Sequence, residues 1–167
     1  MASSRTLVLD HIRILQKLRR IAYQIYEFNH NEKEVVLVAI ENKGLLLANR
    51  ILPILSDVAD FKITLVSLKL DKKNPLSTPV LSEPGVILEG KAVVLIDDVL
   101  NSGRTLIYAA KHILNFNIRK LNTVVLVDRL HRKFPIKADF VGLTLSTTLQ
   151  AHINVVFEEG NDTVYLE

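Results

Sequence analysis

The chain has 167 residues, 49% apolar and 23% charged, with a net charge of +3. That length suits one domain able to bury about 70% of the surface its unfolded form exposes, and the composition excludes disordered and collagen-like classes. The charge is too small to argue for nucleic acid without a local patch, and the lack of cysteine excludes disulfides, thiolate catalysis and Cys-based metal sites, leaving oxygen ligands for any metal.

Met1 to Leu9 carries too short an apolar run for a signal-peptide core, and no apolar stretch approaches the ~20 residues of a membrane span. A cytoplasmic protein without a membrane partner is expected. From Asp10, a potential N-cap, Ile14, Leu15, Leu18, Ile21, Ala22 and Ile25 recur at helical spacing. Val35 to Ile40 is an unbroken, largely β-branched apolar run, as in a strand buried on both faces. Glu41-Asn42-Lys43-Gly44 then turns the chain into a helix over Leu45 to Val58, which Pro53 should kink or end early.

Ile63 to Leu70 reads as a strand, and 71–90, rich in proline with glycines near its end, as a long mobile loop of the kind that is usually functional. Val93 to Ile96 is a further buried strand. Asp97-Asp98-Val99-Leu100-Asn101-Ser102-Gly103-Arg104-Thr105 follows it and leads into a helix ending near Phe116; Thr123 to Val127 is a third such strand. Strands alternating with helices predict a mostly parallel sheet wrapped on both faces, with ligands beyond the carboxyl ends of the strands. Ile153 to Phe157 and Thr163 to Leu166 read as added edge strands.

Two adjacent carboxylates at a strand end, then small polar residues opening a helix, outline a sugar-phosphate site. Backbone N–H groups of Ser102 to Thr105 and the helix dipole suit a phosphate; the carboxylates suit ribose hydroxyls and a hard cation. Taken alone, the acid pair could equally cap the next helix, or hold Mg²⁺ as similar pairs do in receiver domains and nucleotide hydrolases. A receiver reading gives the Ser-Gly-Arg-Thr loop no role.

The run A-V-V-L-I-D-D-V-L-N-S-G-R-T-L, residues 92–106, closely resembles the motif by which type I phosphoribosyltransferases bind 5-phosphoribosyl 1-pyrophosphate (PRPP). The resemblance implies an α/β fold with a mostly parallel central sheet, a small hood and a mobile loop, and Mg²⁺ as cofactor. It implies that Asp97 and Asp98 contact the ribose hydroxyls, and the metal through them or through water. Asn101, Ser102, Gly103, Arg104 and Thr105 would bind the 5′-phosphate, with Asn101 standing where most of the family carries a small residue. Asn42, Lys43 and Gly44 would hold the leaving pyrophosphate, which makes Asp97, Asp98 and Lys43 the catalytic set.

Residues 123–142, T-V-V-L-V-D-R-L-H-R-K-F-P-I-K-A-D-F-V-G, look like the hood segment (128–142) of the bifunctional pyrimidine-operon regulators that are also uracil phosphoribosyltransferases. That likeness implies conversion of uracil to UMP with release of pyrophosphate, and Val127, Asp128, Arg129, His131 and Arg132 at the base. It also implies a homodimer or larger homo-oligomer. Asp98 and Asp128 are the candidates for a general base. The family's mobile loop carries a Tyr-Arg-Asp-type sequence, whereas Leu68 to Lys73 here offers lysines, so closure over PRPP is expected to differ. Arg13, Gln16, Lys17 and Arg20 share one polar helix face, which in the relatives contributes to RNA binding; an ordinary solvated face is the favoured reading here. An RNA-binding nucleotide sensor with little catalysis, and transfer to another base, are the competing functions.

Overall fold

The computed structural model describes residues 5–148 and 150–167; Met1 to Ser4, the start of the stretch weighed as a leader, lie outside them. The elements in chain order are β1 (Thr6–Leu9), α1 (His11–Asn29), β2 (Glu34–Ile40), α2 (Lys43–Val58), β3 (Lys62–Lys69), β4 (Val80–Leu81), β5 (Ala92–Leu100), α3 (Arg104–Ile113), β6 (Lys120–Asp128), β7 (Phe140–Thr144), β8 (Ile153–Val156) and β9 (Thr163–Leu166).

Six strands form a sheet in the order β4-β3-β2-β5-β6-β7, parallel throughout except for the two-residue β4. The continuous apolar runs are explained by cover on both faces. Val35, Leu37 and Ala39 of β2 with Val94 and Ile96 of β5 pack beneath α1 and α2. Val36, Val38 and Ile40 with Val93 and Leu95 face Leu106, Ala109 and Ile113 of α3. The chain leaves β2 through α2 toward β3 on one side and leaves β5 through α3 toward β6 on the other. The sheet order therefore reverses between β2 and β5, where a crevice opens beyond the strand ends.

The structure corrects several expectations. Pro53 neither ends nor shortens α2, which runs to Val58; Pro53 and Asn49, whose carbonyl loses its partner, are both exposed, so the lost bond falls on the solvent side, where its cost is smallest. Helix α2 begins at Lys43, inside the expected turn. Gly44 is required by packing, because a Cβ there would lie 2.9 Å from the Ile96 carbonyl oxygen. Strand β5 continues through the acid pair to Leu100, and α3 stops at Ile113, short of Phe116. The loop 71–90 is partly anchored, since Leu81 and Val80 pair with β3 and Leu88 is fully buried.

From Phe140 onward the tail gives the main sheet one edge strand, β7, but Ile153 to Phe157 and Thr163 to Leu166 do not join that sheet. Strands β8 and β9 join β1, which had not been anticipated, in a separate antiparallel sheet ordered β1-β9-β8, and Leu9, Val155 and Val164 share the core beneath α1 and α2. Asp162, fully buried just before β9, is held by the Arg50 guanidinium of α2 through two hydrogen bonds of 2.8 and 3.0 Å. Of the segment 128–142, Asp128 ends β6, residues 140–142 belong to β7 and 129–139 connect the two. Among the described residues, no helix is long and apolar enough to cross a membrane.

Candidate active site

Beyond the carboxyl ends of β2 and β5 lies a cleft of about 360 Å³. Glu41, Asn42 and Lys43 line one side and Asp97 to Leu106 the other, with Lys72 and Ile153 completing it. Asn42, Lys43, Asp97, Asp98 and Asn101 to Thr105 thus surround one cavity; Gly44, buried against β5, supports it from behind.

Two helices start at this cleft, and neither is capped by its N-cap residue: Asn42 before α2 and Gly103 before α3 make no capping hydrogen bond. Among the described residues, the one side-chain contact to a backbone N–H at either start is the long bond of 3.3 Å from the Arg104 N–H to Ser102 Oγ. Helix α1 is the contrast, because the Asp10 carboxylate accepts the Arg13 N–H at 2.8 Å. An uncapped N-terminus leaves N–H donors and the positive end of the helix dipole available to an anion. Both cap residues have left-handed φ, 69° at Asn42 and 85° at Gly103. At Gly103 the requirement is double, since a Cβ would also approach Ile136 to 2.8 Å. The connection after β6 props this loop: the Ser102 carbonyl accepts the N–H groups of Lys133 and Phe134 at 2.8 and 3.0 Å.

Consecutive strand residues face opposite sides, so the acid pair is asymmetric. Asp97 is 6% exposed and accepts the Asp98 N–H at 2.9 Å; Asp98 is half-buried and lines the cleft. Burial, and then the charge of Asp98, push the Asp97 carboxyl up to about 8, against the Asp98 N–H and the more distant Lys72. The pair offers hard oxygen donors, fit for a hard cation that takes its other ligands from a bound sugar phosphate. No group of three or more His, Cys, Asp or Glu able to hold a metal unaided occurs among the described residues.

On the β2 side, Lys43 Nζ donates to Asn154 Oδ1 at 3.0 Å, and Asn154 Nδ2 donates to Glu167 Oε1 at 3.1 Å. This tie to the small sheet was invisible in the sequence, because 111 residues separate Lys43 from its partner. Ile153 entered the cleft unnoticed for the same reason.

The five residues expected at a base do not line the cleft; they pack behind the 101–105 loop. Val127 is a core side chain. Asp128 accepts the Leu130 N–H at 2.9 Å and pairs with Arg132, whose Nε donates to the Ile136 carbonyl at 2.6 Å. His131 Nε2 lies 2.6 Å from the Thr147 carbonyl oxygen. Arg129, 7% exposed, donates to Asn101 Oδ1 at 3.0 Å, to Thr147 Oγ1 at 3.1 and 3.2 Å, to the Thr148 carbonyl at 3.3 Å and to the Ala151 carbonyl.

Comparison with known proteins agrees with this geometry. The phosphoribosyl transferase domain family matches residues 4–160. A protein of Streptomyces coelicolor named bifunctional protein PyrR is 39% identical over 170 residues, covering 95% of this chain and 88% of the relative. One of the same name from Enterococcus faecalis is 36% identical over 159 residues, covering 91% and 89%. Among solved structures, hypoxanthine phosphoribosyltransferase of Trypanosoma cruzi superimposes with a TM-score of 0.75 at 17% identity, covering 89% of this chain and 84% of that one. A hypoxanthine-guanine phosphoribosyltransferase of Bacillus anthracis gives 0.71 at 20% identity, covering 84% and 82%. The chain belongs to the type I phosphoribosyltransferase family and is similar to its PyrR members along nearly its whole length.

Proposed function

We propose that the protein transfers the phosphoribosyl group of PRPP to uracil, giving UMP and pyrophosphate. The observation that carries this reading is the convergence of two uncapped helix N-termini on one cleft that also holds an acid pair. PRPP has two anionic ends joined by a ribose. The α3 N-terminus with Ser102 to Thr105 suits the 5′-phosphate, the α2 N-terminus with Lys43 suits the pyrophosphate, and Asp97 and Asp98 suit the hydroxyls between them.

In the transfer the C1–O bond to pyrophosphate breaks, a C1–N bond to uracil forms, and the ring N–H proton of uracil departs to solvent. Lys43 and the α2 N–H groups meet the charge growing on the leaving group, while the phosphate loop fixes the far end of the sugar. Mg²⁺, which Asp97 and Asp98 would hold directly or through ribose hydroxyls or water, would supply further neutralisation of that charge. Lys72 brings a cation to the cleft mouth in place of the Arg of other family members.

Uracil is favoured over other bases by the likeness of residues 123–142 to the pyrimidine-operon regulators. The hypoxanthine-guanine enzymes share the fold at 17–20% identity and carry no argument about the base. A second reading, a nucleotide-responsive RNA-binding regulator, draws on the word bifunctional in the names of the relatives. Against it, Arg20 of the basic α1 face is engaged with the carbonyls of Val141 and Gly142 at 2.9 and 2.8 Å.

Incubation with PRPP, Mg²⁺ and uracil, with UMP followed by chromatography, tests the proposal. UMP that disappears in the Asp97→Asn, Asp98→Asn double variant is the expected result. PRPP binding without UMP would sink the uracil reading and direct the assay to hypoxanthine, guanine and orotate. Salt-dependent RNA binding modulated by UMP, without turnover, would favour the regulator.

A further inference from the structure

Asn101 is exposed and lines the cleft, yet its carboxamide is not free to turn. A guanidinium has N–H donors and no acceptor, so the amide atom 3.0 Å from Arg129 Nη1 must be the oxygen. Arg129 itself is immobilised by Thr147, Thr148 and Ala151. Asn101 Nδ2 has no acceptor among the described residues and is left to serve the cleft with two hydrogens.

The position of this amide says what it serves. Asn101 follows Leu100, which pairs with Asp128 of β6 and accepts the Arg129 N–H at 3.0 Å; it therefore stands on the β6 side of the crevice. Lys43 stands on the β2 side. In a displacement at C1 the entering and leaving groups occupy opposite faces of the sugar, so a pyrophosphate near Lys43 places the incoming base toward β6. The polar side chains behind that wall are already engaged: Asp128 with Arg132 and the Leu130 N–H, His131 with the Thr147 carbonyl.

We propose that Arg129 is a positioning residue that presents the Asn101 carboxamide to the nucleobase as a donor, so that Asn101 selects a base bearing an acceptor at that edge and does not contact the 5′-phosphate. This rests on the phosphoribosyl reading of the cleft and replaces the assignment of Asn101 to phosphate made from sequence. Uracil, with carbonyl oxygens at both edges flanking its N3, meets the requirement; a base with an amino group at the recognised edge does not. Asn101 also cannot take a proton from the base, since an amide N–H is not a base.

Calorimetry on the full chain separates the possibilities, using ribose 5-phosphate as the ligand without a base and UMP, CMP, IMP, GMP and orotidine monophosphate as ligands with one. For whichever nucleotide binds more tightly than ribose 5-phosphate, Asn101→Ala should lower affinity about tenfold, the value of one good hydrogen bond, and leave ribose 5-phosphate within about twofold. Arg129→Gln should show the same split. The double variant should lose no more than either single one, because both remove the same contact; a merely structural Arg129 would weaken all ligands and add to the Asn101 effect. Equal loss for ribose 5-phosphate and nucleotide in Asn101→Ala, or no loss for either, overturns the inference while leaving the cleft reading intact. It is likewise overturned if no nucleotide binds more tightly than ribose 5-phosphate. Failure of the wild-type protein to bind ribose 5-phosphate or PRPP overturns the cleft reading and the inference together.

Discussion

The two sides of the cleft are built from different materials. Toward β2, and at the turn into α3, the surface offered to a ligand is mainly backbone: two helix N-termini left uncapped, a glycine in the left-handed region and another pressed against β5. Toward β6 the material is side chains, buried or half-buried: Asp128 pairs with Arg132, and Arg129 is bound to Asn101, Thr147 and two carbonyl groups. A backbone site tolerates change in its polar side chains and fails when a Cβ intrudes; a side-chain network fails when one member is removed, because its partners are left buried without bonds.

The largest expected effect is therefore at Gly103. A methyl group there would meet both the left-handed φ and Ile136 at 2.8 Å, and Gly103→Ala should lower ribose 5-phosphate affinity by about a hundredfold or more while Ser102→Ala costs about tenfold or less. Titration calorimetry of the two variants measures the ratio, and equal losses would contradict a backbone-built site.

On the β6 side, Arg129→Met should destabilise the fold by about 2–4 kcal/mol in urea denaturation, by orphaning Asn101 Oδ1, Thr147 and two carbonyls. A loss below about 0.5 kcal/mol, the range of ordinary surface changes, would show that the network is decoration.

The acid pair between the two sides carries a pH signature. Because the Asp97 carboxyl is raised to about 8 by burial and by Asp98, the native state keeps a proton that the unfolded chain has already lost. Its stabilising share is full below about pH 4 and is lost as pH rises through about 8. The ligand-free Asp97→Asn protein should melt several degrees above wild type at pH 9, with the gap closing toward pH 4. An unchanged gap across that range would place the charge elsewhere.

The smallest effect is at the opposite end of the sheet. Glu34, held down to about 2 first by Lys91 and then by Lys62 and Thr64, contributes stability above about pH 4.5 that is lost as pH falls toward 2. Lys62 is largely exposed, so Glu34→Gln should cost less than about 1 kcal/mol at pH 7 and leave ribose 5-phosphate affinity unchanged. A change in affinity would mean that the far end of the sheet reaches the cleft.

What could be read from the sequence followed the same division. The backbone side announces itself locally: unbroken apolar runs mark strands covered on both faces, and Asp97 to Thr105 carries acid pair, glycine and helix start in nine consecutive residues. The β6 side depends on contacts that no local pattern encodes. Arg129 meets Asn101 from 28 residues away and Ala151 from 22, so the sequence offers it as a base contact and hides its role as a buried strut. The small sheet was missed for the same reason, since β1 pairs with β9 across nearly the entire chain and four residues carry too little periodicity to be recognised alone. Pro53 misled because its cost depends on whether the orphaned carbonyl faces water, which is a property of the folded surface.

The most direct test of the central claim, that two uncapped helix ends hold the two anionic ends of one ligand, is calorimetric titration of the wild-type protein with pyrophosphate, ribose 5-phosphate and PRPP in the presence of Mg²⁺. Independent binding of the two fragments, with PRPP tighter than either and pyrophosphate binding surviving Gly103→Ala, is the predicted result. Competition between the fragments for one site, or binding of neither, would contradict it.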